Sequence, residues 1–148
     1  MSLILIVDDK EENRYLLQSL LTDQGYEVVS AIHGADALEK ALQNPPDLIV
    51  ADILMPVMDG FTLCRQWKND KLLKSIPFVF YTATYTDERD RSFALNLGAD
   101  RFLVKPMEPE DFLKIVQETI QEAPALSTAQ AKPKTRKTEE AEYLKQYN

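Results

Sequence analysis

Five short apolar runs alternate with five longer amphipathic stretches along this chain. Leu3–Val7 has no polar position, which predicts a strand buried on both faces. Residues 9–23 place Leu16, Leu17, Leu20 and Leu21 on one side of a predicted helix, which Gly25 ends. A second strand is predicted over 26–30. A second helix follows over Gly34–Gln43, carrying Ala37, Leu38, Ala41 and Leu42 and broken by Asn44-Pro45-Pro46. Residues 47–51 form a third strand, and after a loop from Asp52 to Gly60 a helix runs through Phe61, Cys64 and Trp67. Residues 77–81 form a fourth strand, and 86–97 a fourth helix stopped by Gly98. Arg101–Val104 is a short fifth strand. Residues 109–121 form the last helix, with Pro109 at a first helical position and a stripe of Phe112, Ile115, Val116 and Ile120.

Strands alternating with helices in this way predict an α/β domain with a parallel sheet and helices on both faces. After Glu122 the periodicity fails. Residues 123–138 are polar, contain proline and are poor in large apolar side chains, so they read as a linker or disordered segment. The end, "EEAEYLKQYN", restarts a helical pattern with Tyr143, Leu144 and Tyr147 on one side. The domain is therefore expected over 1–122, with 123–148 as a linker and partial helix.

Composition narrows the function. The chain has 148 residues, of which 45% are hydrophobic, enough for one sizeable core. Its net charge of −7 argues against nucleic acid as a partner of the domain. The tail beyond residue 122 has more basic than acidic residues, so the acidity lies in the domain. Cys64 is the lone cysteine, which excludes an intramolecular disulfide and a cysteine zinc site. No run is long and apolar enough for a membrane span, and no secretory signal is visible, so a cytoplasmic setting is expected. His33 reads as a surface loop residue. Phe61, Cys64 and Trp67 read as core, with an exposed interface anchor as the alternative for Trp67.

Chemistry enters at the strand exits, because ligand sites of parallel sheets form at the C-terminal edge. The first strand exits on Asp8 and Asp9, the third on Asp52, the fourth on Thr82, and the fifth on Lys105 followed by Pro106. Each alone has an ordinary reading: a turn or cap for an aspartate, a backbone-bonded hydroxyl for Thr82, a solvated surface charge for Lys105. Together they make a more specific set. Adjacent acids repel, and a divalent cation offsets that repulsion. Mg2+ takes a few protein oxygens plus water and phosphate. With metal and Lys105 neutralising the transferring oxygens, one carboxylate can attack phosphorus.

The segments "LIVDDKEENR", "DLIVADILMPVMDGF", "YTA" and "GADRFLVKP" resemble, in order and spacing, the signatures of response-regulator receiver domains, across residues 3–122. The resemblance implies a flavodoxin-like (βα)5 fold, a doubly wound five-stranded parallel sheet in the order 2-1-3-4-5. It implies Asp52 as phosphoacceptor, receiving phosphoryl from a sensor histidine kinase or a histidine phosphotransfer domain. Asp8, Asp9, Asp52 and the backbone carbonyl of Leu54 would bind Mg2+. Lys105 would bridge the acids and the phosphoryl group, with a cis Lys105–Pro106 bond. Thr82 and Phe102 would be the switch pair, and Leu54 and Thr84 would set the phosphoryl lifetime. Neither of the latter is an acid or amide that orients water, so slow self-dephosphorylation is expected. Gly60 would permit a close approach, and Asp59 would cap a helix. The response would repack the helix-4, strand-5, helix-5 face and could pair two copies through it. The tail then suggests the front of a multidomain sensory protein.

Other classes fit less well. An aspartyl-phosphate phosphatase needs an acid at Leu54, and a dinucleotide-binding domain needs glycines where "DDKEEN" stands. A phosphorylation-independent pseudo-receiver, a pure interaction module, is the runner-up, but it predicts loss of Asp52 or Lys105, and both are present.

Overall fold

The computed structural model describes residues 2–130, with side chains to residue 123. The tail features expected at 132–137 and 139–148 lie outside the described residues. The elements are β1 (Leu3–Val7), α1 (Glu11–Asp23), β2 (Glu27–Ala31), α2 (Gly34–Gln43), β3 (Leu48–Ala51), α3 (Gly60–Asn69), β4 (Phe78–Thr82), α4 (Glu88–Asn96), β5 (Arg101–Val104) and α5 (Pro109–Gln130). The five strands are parallel in the order β2-β1-β3-β4-β5, as expected.

The register brings the strand ends level. Val7 pairs with both Ala31 and Ala51, and Thr82 pairs with Val104. Two cores fill the two faces. On one, α2, α3 and α4 cover an aromatic-rich layer of Trp67, Phe78, Phe80 and Phe102. On the other, α1 and α5 cover aliphatic Ile4, Ile6, Leu48, Val50 and Val79, with Phe112 and Val116 from α5. Gly25 and Gly98 stop α1 and α4 in the left-handed conformation, φ +92° and +110°, that favours glycine.

Several boundaries differ from the sequence pattern, three of them for a local reason. The first helix starts at Glu11, not residue 9, because the Lys10 N–H turns back to the Asp8 carboxylate. β4 starts at Phe78, since Pro77 has no N–H for the ladder. α4 starts at Glu88 because Asp87 and Asp90 form a reciprocal capping box. α5 continues past residue 121 to Gln130, through the expected domain boundary and through Pro124. Leu16 and Leu42 point to solvent, because the covering stripes of α1 and α2 are narrower than their apolar pattern. Trp67 and Cys64 are wholly buried, which removes the interface-anchor reading of Trp67. His33 is the N-cap of α2, where its Nδ1 accepts from the Asp36 N–H at 3.1 Å. Among the described residues no helix is long and apolar enough to cross a membrane.

Candidate functional site

Backbone pairing fixes the strand exits before any side chain acts. The Asp8 N–H donates to the Ala31 carbonyl of β2 at 3.1 Å, the Asp52 N–H to Val7 of β1 at 2.9 Å, and the Lys105 N–H to Thr82 of β4 at 2.8 Å. Asp8, Asp52 and Lys105 each therefore continue a ladder one step past a strand, at the same edge of the sheet.

The side chains complete the convergence for three of them. Lys105 Nζ lies 2.8 Å from Asp8 Oδ2 and 3.4 Å from Asp52 Oδ2. Burial alone would lower the Lys105 pKa, but hydrogen bonding and charge from Asp8 and Asp52 outweigh it and hold the ammonium above its ordinary value. The Asp8 side chain is 2% exposed and that of Asp52 is 14% exposed, so Asp52 is the one an approaching group can reach. Asp52 Oδ1 accepts from the Ile53 N–H at 2.7 Å, leaving the carboxylate's orientation fixed by the chain itself. The Lys105–Pro106 bond is cis.

The loop after Asp52 is held by α3. The Gly60 N–H donates to the Ile53 carbonyl at 2.7 Å. A Cβ on Gly60 would lie 2.8 Å from Ile53 Cα and closer still to the Asp52 carbonyl oxygen, so only glycine fits. Asp59 caps α3, accepting from the Thr62 N–H at 2.8 Å.

Asp9, next in the chain after Asp8, is exposed beyond the end of β1. Among the described residues no group of three or more His, Cys, Asp or Glu is gathered to hold a metal. Asp8 and Asp52 face one another across Lys105, and Asp9 is their neighbour in the chain. Thr82 is buried, but its hydroxyl is engaged with the β4–α4 loop: it donates to the Thr84 carbonyl at 2.8 Å and accepts the Thr84 N–H at 3.0 Å. Thr84 and Leu54 are exposed. Phe102 is buried, its ring 6.1 Å from that of Phe80.

Sequence reasoning missed three contributors. Tyr81 lies under Lys105, with Nζ 5.5 Å from the ring centroid, and its hydroxyl accepts the Met107 N–H at 3.2 Å. Asn13 Nδ2 donates to Asp8 Oδ2 at 3.1 Å, and Arg14 Nη1 to the Asp8 carbonyl at 2.8 Å. The available signal was position: Asn13 and Arg14 occupy the first turn of the helix that follows the acid pair, where side chains can fold back on it.

The family model for the response regulator receiver domain matches residues 4–117. The response regulator PleD of Caulobacter vibrioides is 47% identical over 106 residues, 71% of this chain and 23% of that protein. The alkaline phosphatase synthesis transcriptional regulatory protein PhoP of Bacillus subtilis is 42% identical over 108 residues, 73% of this chain and 44% of that one. The chain thus spans less than half the length of either relative. Among solved structures, the chemotaxis protein CheY4 of Vibrio cholerae matches with a TM-score of 0.76 at 35% identity, covering 80% of this chain and 98% of its own. The signal receiver domain of a signal transduction histidine kinase from Syntrophus aciditrophicus matches with a TM-score of 0.76 at 34% identity, covering 82% and 92%.

Proposed function

This chain belongs to the response regulator receiver domain family, and from that premise we propose that it is a phosphoacceptor whose Asp52 takes a phosphoryl group from a phosphohistidine of a sensor kinase or phosphotransfer domain. The observation that carries the reading is the shared ammonium: Lys105 contacts both Asp8 and Asp52, and of these two carboxylates Asp52 is the accessible one. In the transfer an Asp52 carboxylate oxygen forms a bond to phosphorus as the bond from phosphorus to the imidazole nitrogen breaks. Lys105 is placed to follow the negative charge onto the transferring oxygens.

The donor chemistry suits Mg2+. Asp8, Asp9 and Asp52 are three carboxylates against one ammonium, a deficit that a dication neutralises. Mg2+ also needs only one or two carboxylates besides water and phosphate, which the Asp8–Asp52 pair offers. These residues, with the Leu54 carbonyl, would hold the ion, and its charge would lower the barrier to bringing phosphate oxygens beside aspartates. The chain's own part is to hold Asp52 rigid, through the Ile53 N–H and the Gly60 packing, and to keep Asp8 turned inward.

Phosphoryl on Asp52 gives the Thr82 hydroxyl a stronger acceptor than the Thr84 carbonyl it now serves. Movement of Thr82 would draw on the β4–α4 loop, and Phe102 and α4 would repack behind it. The exposed Leu95 and Val104 lie on the face formed by α4, β5 and α5, which would then change its partners or pair with a second copy. Leu54 and Thr84 offer neither an acid nor an amide to orient an attacking water, which supports a long-lived phosphoryl group.

The test is intact mass after treatment with a small-molecule phosphoryl donor. The expected result is a gain of one phosphoryl group that requires Mg2+, is absent in Asp52→Asn, and persists for minutes after the donor is removed. No gain with Mg2+ in excess would overturn the reading, and decay within seconds would overturn the lifetime assignment.

A further inference from the structure

Asp8 has the most heavily bonded carboxylate of the site. At 1% exposure it has almost no water to bind. Oδ1 accepts the Lys10 N–H at 2.9 Å. Oδ2 accepts both Lys105 Nζ at 2.8 Å and Asn13 Nδ2 at 3.1 Å. Two of the three donors are therefore neutral amides from the entry and first turn of α1. A neutral donor fixes the direction of a carboxylate without cancelling its charge, as a second cation would.

Lys105 cannot serve every acceptor at once. If it turns to phosphoryl oxygens on Asp52, Asp8 loses its one charged donor. Oδ2 would then be left buried with a single partner, Asn13. The amide itself stands at the edge of an apolar cleft of about 350 Å³ between α1 and the β5–α5 connection, lined by Leu16, Leu17, Met107 and Phe112.

We propose that Asn13 is a positioning residue for the metal: it holds Asp8 in its cation-binding pose, and does so most when Lys105 is engaged elsewhere. This rests on the Mg2+-dependent reading above. Partners of ligating carboxylates characteristically contribute about 10- to 100-fold to metal affinity.

The test compares the full chain with Asn13→Leu, which keeps the side chain's size and suits the apolar cleft, and with Asn13→Ala. Mg2+ binding is followed by calorimetric titration without phosphoryl donor, and phosphorylation by intact mass at varied Mg2+. Both variants are expected to bind Mg2+ about tenfold more weakly, with half-maximal phosphorylation displaced to higher Mg2+ by at least the same factor and the maximal rate within about twofold. Leu16→Ala, which opens the same cleft, should leave the affinity unchanged. Wild-type affinity in both Asn13 variants, or a fall in maximal rate with no displacement in Mg2+, would overturn the assignment while leaving the phosphoacceptor reading standing. A wild-type chain that binds no Mg2+ would overturn both.

Discussion

Helices α3 and α4 begin at the same edge of the sheet and pack on the same face, yet they are attached in different ways. Each follows a site residue, α3 after Asp52 and α4 after Thr82, and each is capped by an aspartate, Asp59 or Asp87. α3 buries Gly60, Leu63, Cys64 and Trp67, whereas α4 buries only Ala94. Beyond its capping box, α4 is tied down by the Phe93 ring against Phe61 at 4.9 Å and by Arg91 Nη1 on the Phe102 carbonyl at 3.3 Å, both from exposed residues. Caps therefore do not distinguish the two helices, but burial does. The residue proposed to present one fixed oxygen to phosphorus stands before the anchored helix. The residue proposed to respond stands before the helix that can move at little cost.

The largest test of this contrast is truncation on each helix. Trp67→Ala removes a fully buried indole whose Nε1 donates to the Ile76 carbonyl at 3.1 Å, and should cost about 3–5 kcal/mol in urea unfolding. Phe93→Ala removes a ring that is 45% exposed, and should cost no more than about 2 kcal/mol, most of it from the ring pair with Phe61. Equal losses would break the comparison.

The same contrast explains what the sequence revealed and what it hid. The strands were legible because Leu3–Val7 is buried from Ile4 on and Leu48–Ala51 and Phe78–Thr82 are buried throughout, and a strand covered on both faces tolerates almost no polar residue. The strand exits followed, so Asp8, Asp52, Thr82 and Lys105 could be placed at one edge. Hydrogen-bond direction was not legible. Nothing in the pattern says that the Thr82 hydroxyl serves Thr84, that Asp9 faces out while Asp8 faces in, or that Asn13 reaches back to Asp8. The difference in anchoring was hidden too. The periodic apolar positions of α4 include Phe93 and Leu95, and only the packed structure shows that they remain at the surface.

Hydrogen exchange sharpens the contrast at a smaller energy. Interior amides of α3 should exchange only on global unfolding. Those of α4 should open locally at a free energy about 2 kcal/mol lower, close to 30-fold less protection. Phosphoryl or a phosphoryl analogue on Asp52 should change protection in α4 and leave α3 as it was.

The finest test uses the thiol inside α3. Burial pushes the Cys64 pKa from 9.0 up to about 12, against a smaller opposing pull from Lys68. Because the folded thiol keeps its proton when the unfolded one has lost it, this group's contribution is complete below pH 9.0 and declines as pH rises toward 12. The Lys105 ammonium, also raised, contributes fully up to its ordinary 10.5 and is lost only above it. Between the two ordinary values Cys64 acts alone of the pair. Relative to Cys64→Ala, the wild-type chain should lose about 1.4 kcal/mol of stability by pH 10, read from urea unfolding across a pH series. If the two proteins instead run parallel through that interval, Cys64 ionises as readily folded as unfolded. α3 would then be as loosely closed over the sheet as α4, and the anchoring assigned to the phosphoacceptor side would have no physical basis.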